Sequence, residues 1–113
     1  DRHRWETVVS AMEKGFSDAD FKYGVPMVPK PKSEAWFLCH YQDSRYQNCK
    51  RFEEYSGNDS SPKSLKRELR SCLKLDGHAL YMHISSDESI KWDSIDMPSF
   101  NLFKKLFIYE CAF

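Results

Sequence analysis

Ala35-Trp36-Phe37-Leu38-Cys39-His40-Tyr41 is the stretch on which the reading of the fold turns. With a period of two, Trp36 and Leu38 point one way, and Phe37, Cys39 and Tyr41 the other. A strand that is apolar on both sides sits in the middle of a sheet and is covered on both faces. The run therefore predicts a central strand, and the rest of the chain is placed around it.

Downstream, Gln42-Asp43-Ser44-Arg45 is a short polar segment before a second strand-like run, Tyr46 to Phe52, so the two runs predict a hairpin. Ala79 to Ile84 alternates again, with Leu80, Met82 and Ile84 against Ala79, Tyr81 and His83. Ser89 to Trp92 reads as a short return strand, and Leu102 to Phe113, with Leu106, Phe107, Ile108, Tyr109 and Cys111, as the last strand. Asp93 to Ser99, acidic and holding Pro98, reads as loop.

Two segments predict helices. Trp5, Val8, Val9, Met12 and Phe16 fall at helical spacing, which predicts a helix over residues 1–16 with a core-facing stripe. Ser61-Pro62 pairs a capping hydroxyl with proline at a first helical position, which predicts a second helix over 61–75, with Leu65, Leu69, Cys72 and Leu73 inward and Asp76-Gly77 closing it. Between helix and sheet, residues 17–33 hold Gly24, Pro26, Pro29 and Pro31 and predict an extended arm. The sum is a single α+β domain over 1–113: a small antiparallel sheet over 34–113 with two helices, stabilised by disulfides.

The chain has 113 residues, which fits one domain with a modest core. Its formal charge is zero, so no net field drives it onto nucleic acid or membrane. Cys39, Cys49, Cys72 and Cys111 are an even number without C-x-x-C spacing, which predicts two disulfides in a secreted protein. Both a local Cys39–Cys49 bond with Cys72–Cys111, and a nested Cys39–Cys111 with Cys49–Cys72, satisfy the sequence. The start at Asp1 and the absence of an apolar leader fit a mature secreted product or a trimmed chain. Asn58-Asp59-Ser60 is a glycosylation sequon in a polar loop.

Chemistry is sparsely marked. Acid–base cleavage of RNA would draw on His40, His78 and His83 with Glu34, Glu88 or Glu110 and a nearby cation. No convincing catalytic set assembles from them, and period two sends His78 and His83 to opposite faces. Cys39, His40, Cys49 and His78 or His83 match no closed metal site. There is no phosphate loop or dinucleotide fingerprint. No catalytic residue, metal or cofactor is therefore expected, and no membrane segment. A basic stripe, Lys63, Arg67, Arg70 and Lys74, could contact RNA phosphates, with Tyr46, Tyr55 or Tyr81 stacking on bases.

Asp18-Ala19-Asp20-Phe21 leading into Gly24-Val25-Pro26, the pair Trp36-Phe37, and His83-Ile84-Ser85-Ser86-Asp87-Glu88 occur in that order. Together they resemble the AVR-Pik-like branch of the MAX effectors, small secreted proteins of plant-pathogenic fungi, over about a quarter of the chain. That resemblance implies a compact β-sandwich. Phe37-Leu38-Cys39 and Tyr109-Glu110-Cys111 are similar to the early aromatic-x-Cys and late Cys of RNase-like powdery mildew effectors. There the resemblance implies a disulfide between the two cysteines and a ribonuclease-like fold without its catalytic set. Both imply a secreted, non-enzymatic protein that binds a host protein, such as an immune receptor or its target domain, with action inside host cells. A monomer is expected. The expected contacts are Phe21, Tyr23, Val25 and Met27 in the arm and His83, Asp87 and Glu88 at strand edges. The alternatives are a small ribonuclease or RNA-binding protein, and a secreted inhibitor or ligand from a source other than a pathogen.

Overall fold

A computed structural model describes residues 2–22 and 24–111, with side chains for 4–22 and 24–108. Among the described residues five α-helices follow one another: α1 Arg2–Asp18, α2 Glu34–Tyr41, α3 Leu65–Leu73, α4 Gly77–Ser85 and α5 Pro98–Cys111. Short 3₁₀ helices lie at Cys49–Glu54 and Trp92–Ser94. Among the described residues there is no sheet, and the sole β feature is one parallel bridge between Ser56 and Ser64. This overturns the α+β expectation and, with it, every strand.

The central run is α2. A short apolar run has no period that separates a buried strand from a buried helix. Here Ala35, Trp36, Leu38, Cys39 and His40 are buried together, and Phe37 and Tyr41 half-buried, so α2 is covered nearly all round. The expected hairpin is instead a loop: the Tyr46 amide donates to the Cys39 carbonyl at 2.8 Å, and Tyr46 and Asn48 take left-handed φ values of 66° and 51°. The chain then enters the 3₁₀ helix at Cys49.

The run Ala79 to Ile84 forms α4. Leu80 and Ile84, four residues apart, are buried while Met82 is exposed, which is helical rather than alternating burial. The last expected strand is α5, which opens with Pro98 at its first position, where the missing amide hydrogen costs nothing. Phe100, Phe103 and Phe107 are then spaced as one helical stripe.

The helix expected over 61–75 forms, three to four residues shorter at its start. Ser64, not Ser61, caps α3, its hydroxyl accepting the Arg67 amide at 3.1 Å. Lys74 ends α3 in a left-handed conformation, and Asp76 caps α4 through the Gly77 amide at 2.7 Å. Asp76-Gly77 thus separates two consecutive helices.

Packing centres on α2, which lies against α3 and the 3₁₀ helix at Cys49–Glu54. A disulfide joins Cys39 to Cys49 with Cα atoms 5.2 Å apart. Trp36 is the largest fully buried side chain. Its indole nitrogen donates to the Ser99 hydroxyl at 2.9 Å, and the Ser99 amide donates to Glu53 at 2.8 Å, so one serine ties α2, α5 and the 3₁₀ helix together. The α1 stripe is only partly core: Val9 is buried, Trp5 and Phe16 are half-buried, and Val8 and Met12 are exposed. What holds α1 is the arm. The Trp5 indole donates to the Val28 carbonyl at 2.7 Å, and Gly24 lies against the Phe16 ring so closely that a Cβ there would sit 2.3 Å from it.

Candidate functional site

Among the described residues the longest aromatic series meets at one opening. Phe37 and Trp92 rings lie 6.4 Å apart, Trp92 stacks on Phe100 at 6.0 Å, and Phe103 continues to Phe107 at 5.8 Å. These rings, with Met27, Trp36 and Ile108, line a cleft of about 420 Å³. Ser33, Asp93 and Lys104 complete the lining as its polar members. The Lys104 ammonium lies 5.7 Å from the centre of the Phe100 ring. Four segments build the cleft: the arm, the outer face of α2, the 3₁₀ helix Trp92–Ser94 and the stripe of α5. Met27, Trp92, Phe107 and Ile108 are 54, 44, 50 and 58 % exposed, so the walls reach well into solvent. A contiguous exposed apolar surface of this kind is a candidate interaction site, and Trp, Phe and Met are side chains enriched at protein contacts.

A polar cluster behind it fixes the wall that carries Trp92. The Tyr41 hydroxyl donates to Asp87 at 2.7 Å, and the Ser89 amide and hydroxyl donate to the same carboxylate at 2.8 and 2.5 Å. Tyr46 Oη accepts the Lys91 amide at 2.7 Å and lies 2.5 Å from His40 Nδ1. If Tyr46 donates to that nitrogen, His40 Nε2 carries the proton and faces Ser89 Oγ at 3.5 Å and Asp87 at 3.8 Å. α2 and the loop after it thereby hold residues 87–91 in place, one residue before Trp92.

The cluster's ionisation supports this role. The Ser89 and Tyr41 hydrogen bonds push the Asp87 carboxyl far below the usual carboxylate range. Burial, reinforced by Arg45, pushes the His40 imidazole below its ordinary 6.5, so it is held neutral. Burial and Asp87 raise the Tyr41 phenol. Both acid-sensitive groups bind a proton more readily in the unfolded chain, so acid destabilises the fold. Stability falls as pH drops below 6.5, where unfolded His40 gains its proton, and again below 3.8, where unfolded Asp87 gains its own. Asp87→Asn should lower the melting temperature by several degrees at neutral pH and flatten the fall below pH 3.8. Thermal melts of both proteins across the acid range check it, and superimposable profiles would contradict it.

The expected partner contacts are dispersed. Met27 lines the cleft. Phe21 is exposed but faces Phe16, with ring centres 6.1 Å apart, and Val25 is half-buried. Tyr23 lies outside the described residues. His83 and Glu88 are exposed, and His83 lies 5.9 Å from the Tyr41 ring. Asp87 serves the polar cluster. The edges these residues were placed on do not exist among the described residues, since 83–85 is helix and 86–91 is turn and loop.

The acid–base candidates do not converge on an open surface. His40 is buried, Glu34 is buried and accepts the Tyr81 hydroxyl at 3.0 Å, and His78 and His83 are exposed on α4. The Glu110 side chain lies outside the described residues. Of the basic stripe, Lys63 precedes α3, Arg67 and Arg70 lie on it, and Lys74 ends it, but Arg70 is bound to Asp76 at 3.3 Å. Cys72 is an exposed free thiol, raised by burial and by Glu68, and the Cys111 side chain lies outside the described residues. Among the described residues no group of three or more His, Cys, Asp or Glu side chains could hold a metal ion, and no helix is long and apolar enough to cross a membrane.

Sequence reasoning missed Trp92, Phe100, Phe103, Lys104, Phe107 and Ile108 as site residues. Proline at 98 with aromatics at 100, 103 and 107 was the available signal, and it marks a helix with an aromatic face. No protein-family model matches the chain, and no curated protein or solved structure matches it either. The β-sandwich of MAX effectors and the sheet of ribonuclease-like effectors are both missing from the described residues. Cys39 pairs with Cys49 rather than with Cys111.

Proposed function

We propose that this is a non-enzymatic binding protein that receives apolar side chains of a protein partner in the aromatic cleft. The observation that carries the reading is the open series Phe37, Trp92, Phe100, Phe103 and Phe107, flanked by one cation and one anion. Rigid aromatic walls offer contact area at small entropic cost, which favours docking of another chain. The Cys39–Cys49 disulfide is compatible with secretion. The narrower reading, a pathogen effector acting on a host protein inside host cells, rests on the resemblance of Asp18 to Pro26 and His83 to Glu88, and draws no support from the fold.

A random peptide library displayed on phage tests the proposal. Selection should enrich sequences with aromatic or leucine anchors, and their binding should fall at least tenfold in Trp92→Ala while Phe21→Ala leaves it unchanged. Absence of enrichment, or peptides indifferent to Trp92→Ala, would overturn it. The RNA reading keeps one specific support, the adjacent Arg67 and Arg70 on α3. Salt-sensitive binding of labelled single-stranded RNA that Arg67→Ala weakens would move the function there.

A further inference from the structure

We infer that, without another partner, the cleft is occupied by the α5 face of a second copy of this chain, in a two-fold dimer. The inference rests on the cleft being a protein-docking surface and names its resting occupant, in place of the monomer expected from the sequence.

Three observations carry it. A two-fold contact requires one patch to be its own complement, because each copy presents the same surface. This patch holds both halves of such a contact. The cleft of about 420 Å³ is the hole, and Phe107 and Ile108, the most exposed apolar side chains of α5 among the described residues, are the projections beside it. They lie one helical turn beyond Phe103 and Lys104, so an antiparallel α5 from a second copy would carry its own Phe107 into the opening.

The polar lining is also self-complementary. Asp93 follows the Trp92 wall and Lys104 follows the α5 wall. Among the described residues neither has a salt-bridge partner, and formal charge over the whole chain is zero. The register we infer sets Lys104 of each copy against Asp93 of the other, with two equivalent pairs across the contact. Opposite charges so arranged fix register as well as adding attraction.

The area is sufficient for a weak dimer. With large side chains carrying about 150–250 Å², half exposure at Met27, Trp92, Phe107 and Ile108 and the part-buried Phe37, Phe103 and Lys104 amount to at most roughly 500–600 Å² per copy. The total across two copies is near the lower bound of specific interfaces, about 1,200 Å². Contacts at this low end of the size range are typically transient, which lets a better-fitting partner displace the second copy.

Sedimentation velocity over a concentration series tests the inference. The wild type should pass from monomer to dimer between about 1 and 100 µM. Phe107→Asp should remain monomeric and keep its helical circular dichroism. Asp93→Lys and Lys104→Asp should each weaken the dimer about tenfold. Mixed together, those two should form a heterodimer tighter than either alone, and the double Asp93→Lys/Lys104→Asp should restore wild-type association. A wild type that stays monomeric at about 1 mM, or charge variants that associate like the wild type, would overturn it. A monomeric wild type that still binds selected peptides in a Trp92-dependent way overturns the dimer alone and leaves the docking reading standing.

Discussion

Trp36→Ala is expected to lower the free energy of unfolding by about 3–5 kcal/mol, a large share of the roughly 6–17 kcal/mol that a domain of this length has. Trp36 is 1 % exposed, meets Phe100 edge-on at 4.9 Å and lies over Phe103 at 6.0 Å. Its removal leaves a cavity between α2 and α5 and strips the buried Ser99 hydroxyl of its donor. Trp36→Phe should keep part of the packing and cost roughly half as much, because the missing indole nitrogen is then the main loss. Urea unfolding followed by circular dichroism measures both. An alanine variant within about 1 kcal/mol of the wild type would show that α5 does not rest on Trp36.

Opening the Cys39–Cys49 bond gives the second largest effect, a loss of about 2–3 kcal/mol from the freedom an unfolded chain recovers when a loop of this length is released. The two cysteines are ten positions apart. The loop between them has its own ties: Gln42 Nε2 donates to the Gln47 carbonyl at 3.0 Å, and Arg51 Nη2 donates to Gln42 Oε1 at 2.7 Å. The reduced protein should therefore keep its fold at neutral pH and unfold at lower urea. Cys49→Ala should match reduction, and Cys72→Ser, at an exposed thiol, should match the wild type. A reductant effect that persists in Cys49→Ala, or equal losses in both variants, would contradict the assignment of the bond.

Particular residues show what was legible in the sequence and what was not. The helix at Arg2–Asp18 and the α3 region followed from apolar spacing and from serine and proline at a helix opening, which are local signals. The Cys39–Cys49 bond was one of two pairings the sequence allowed, although the hairpin that suggested it does not exist. Ala35 to Tyr41 misled because seven apolar residues satisfy the strand pattern whether they face two sheet layers or are buried around a whole helix. At 79–84, Met82 supplied a false alternation, since it is exposed on α4. Proline at 98 reads as loop among acidic residues, yet it opens α5, whose face Phe100, Phe103 and Phe107 share. The cleft itself needs four segments brought together by packing, and no spacing along the chain announces that.

The arm illustrates the same limit. Its apolar residues divide between two duties, Met27 in the cleft and Phe21 against Phe16 on α1. Asp87, expected at a contact edge, orders the loop that leads to Trp92. In the docking reading proposed above, Asp87 acts by holding the wall of the cleft rather than by meeting a partner.

The most direct test of the cleft as the docking surface is an NMR titration of isotope-labelled protein with the tightest peptide from the phage selection. The account predicts that the Trp92 indole signal and the amides of Phe37, Phe103, Lys104 and Phe107 shift together and saturate, while Arg67 and Arg70 on α3 stay in place. Shifts confined to α3, or spread evenly over the molecule, would contradict it.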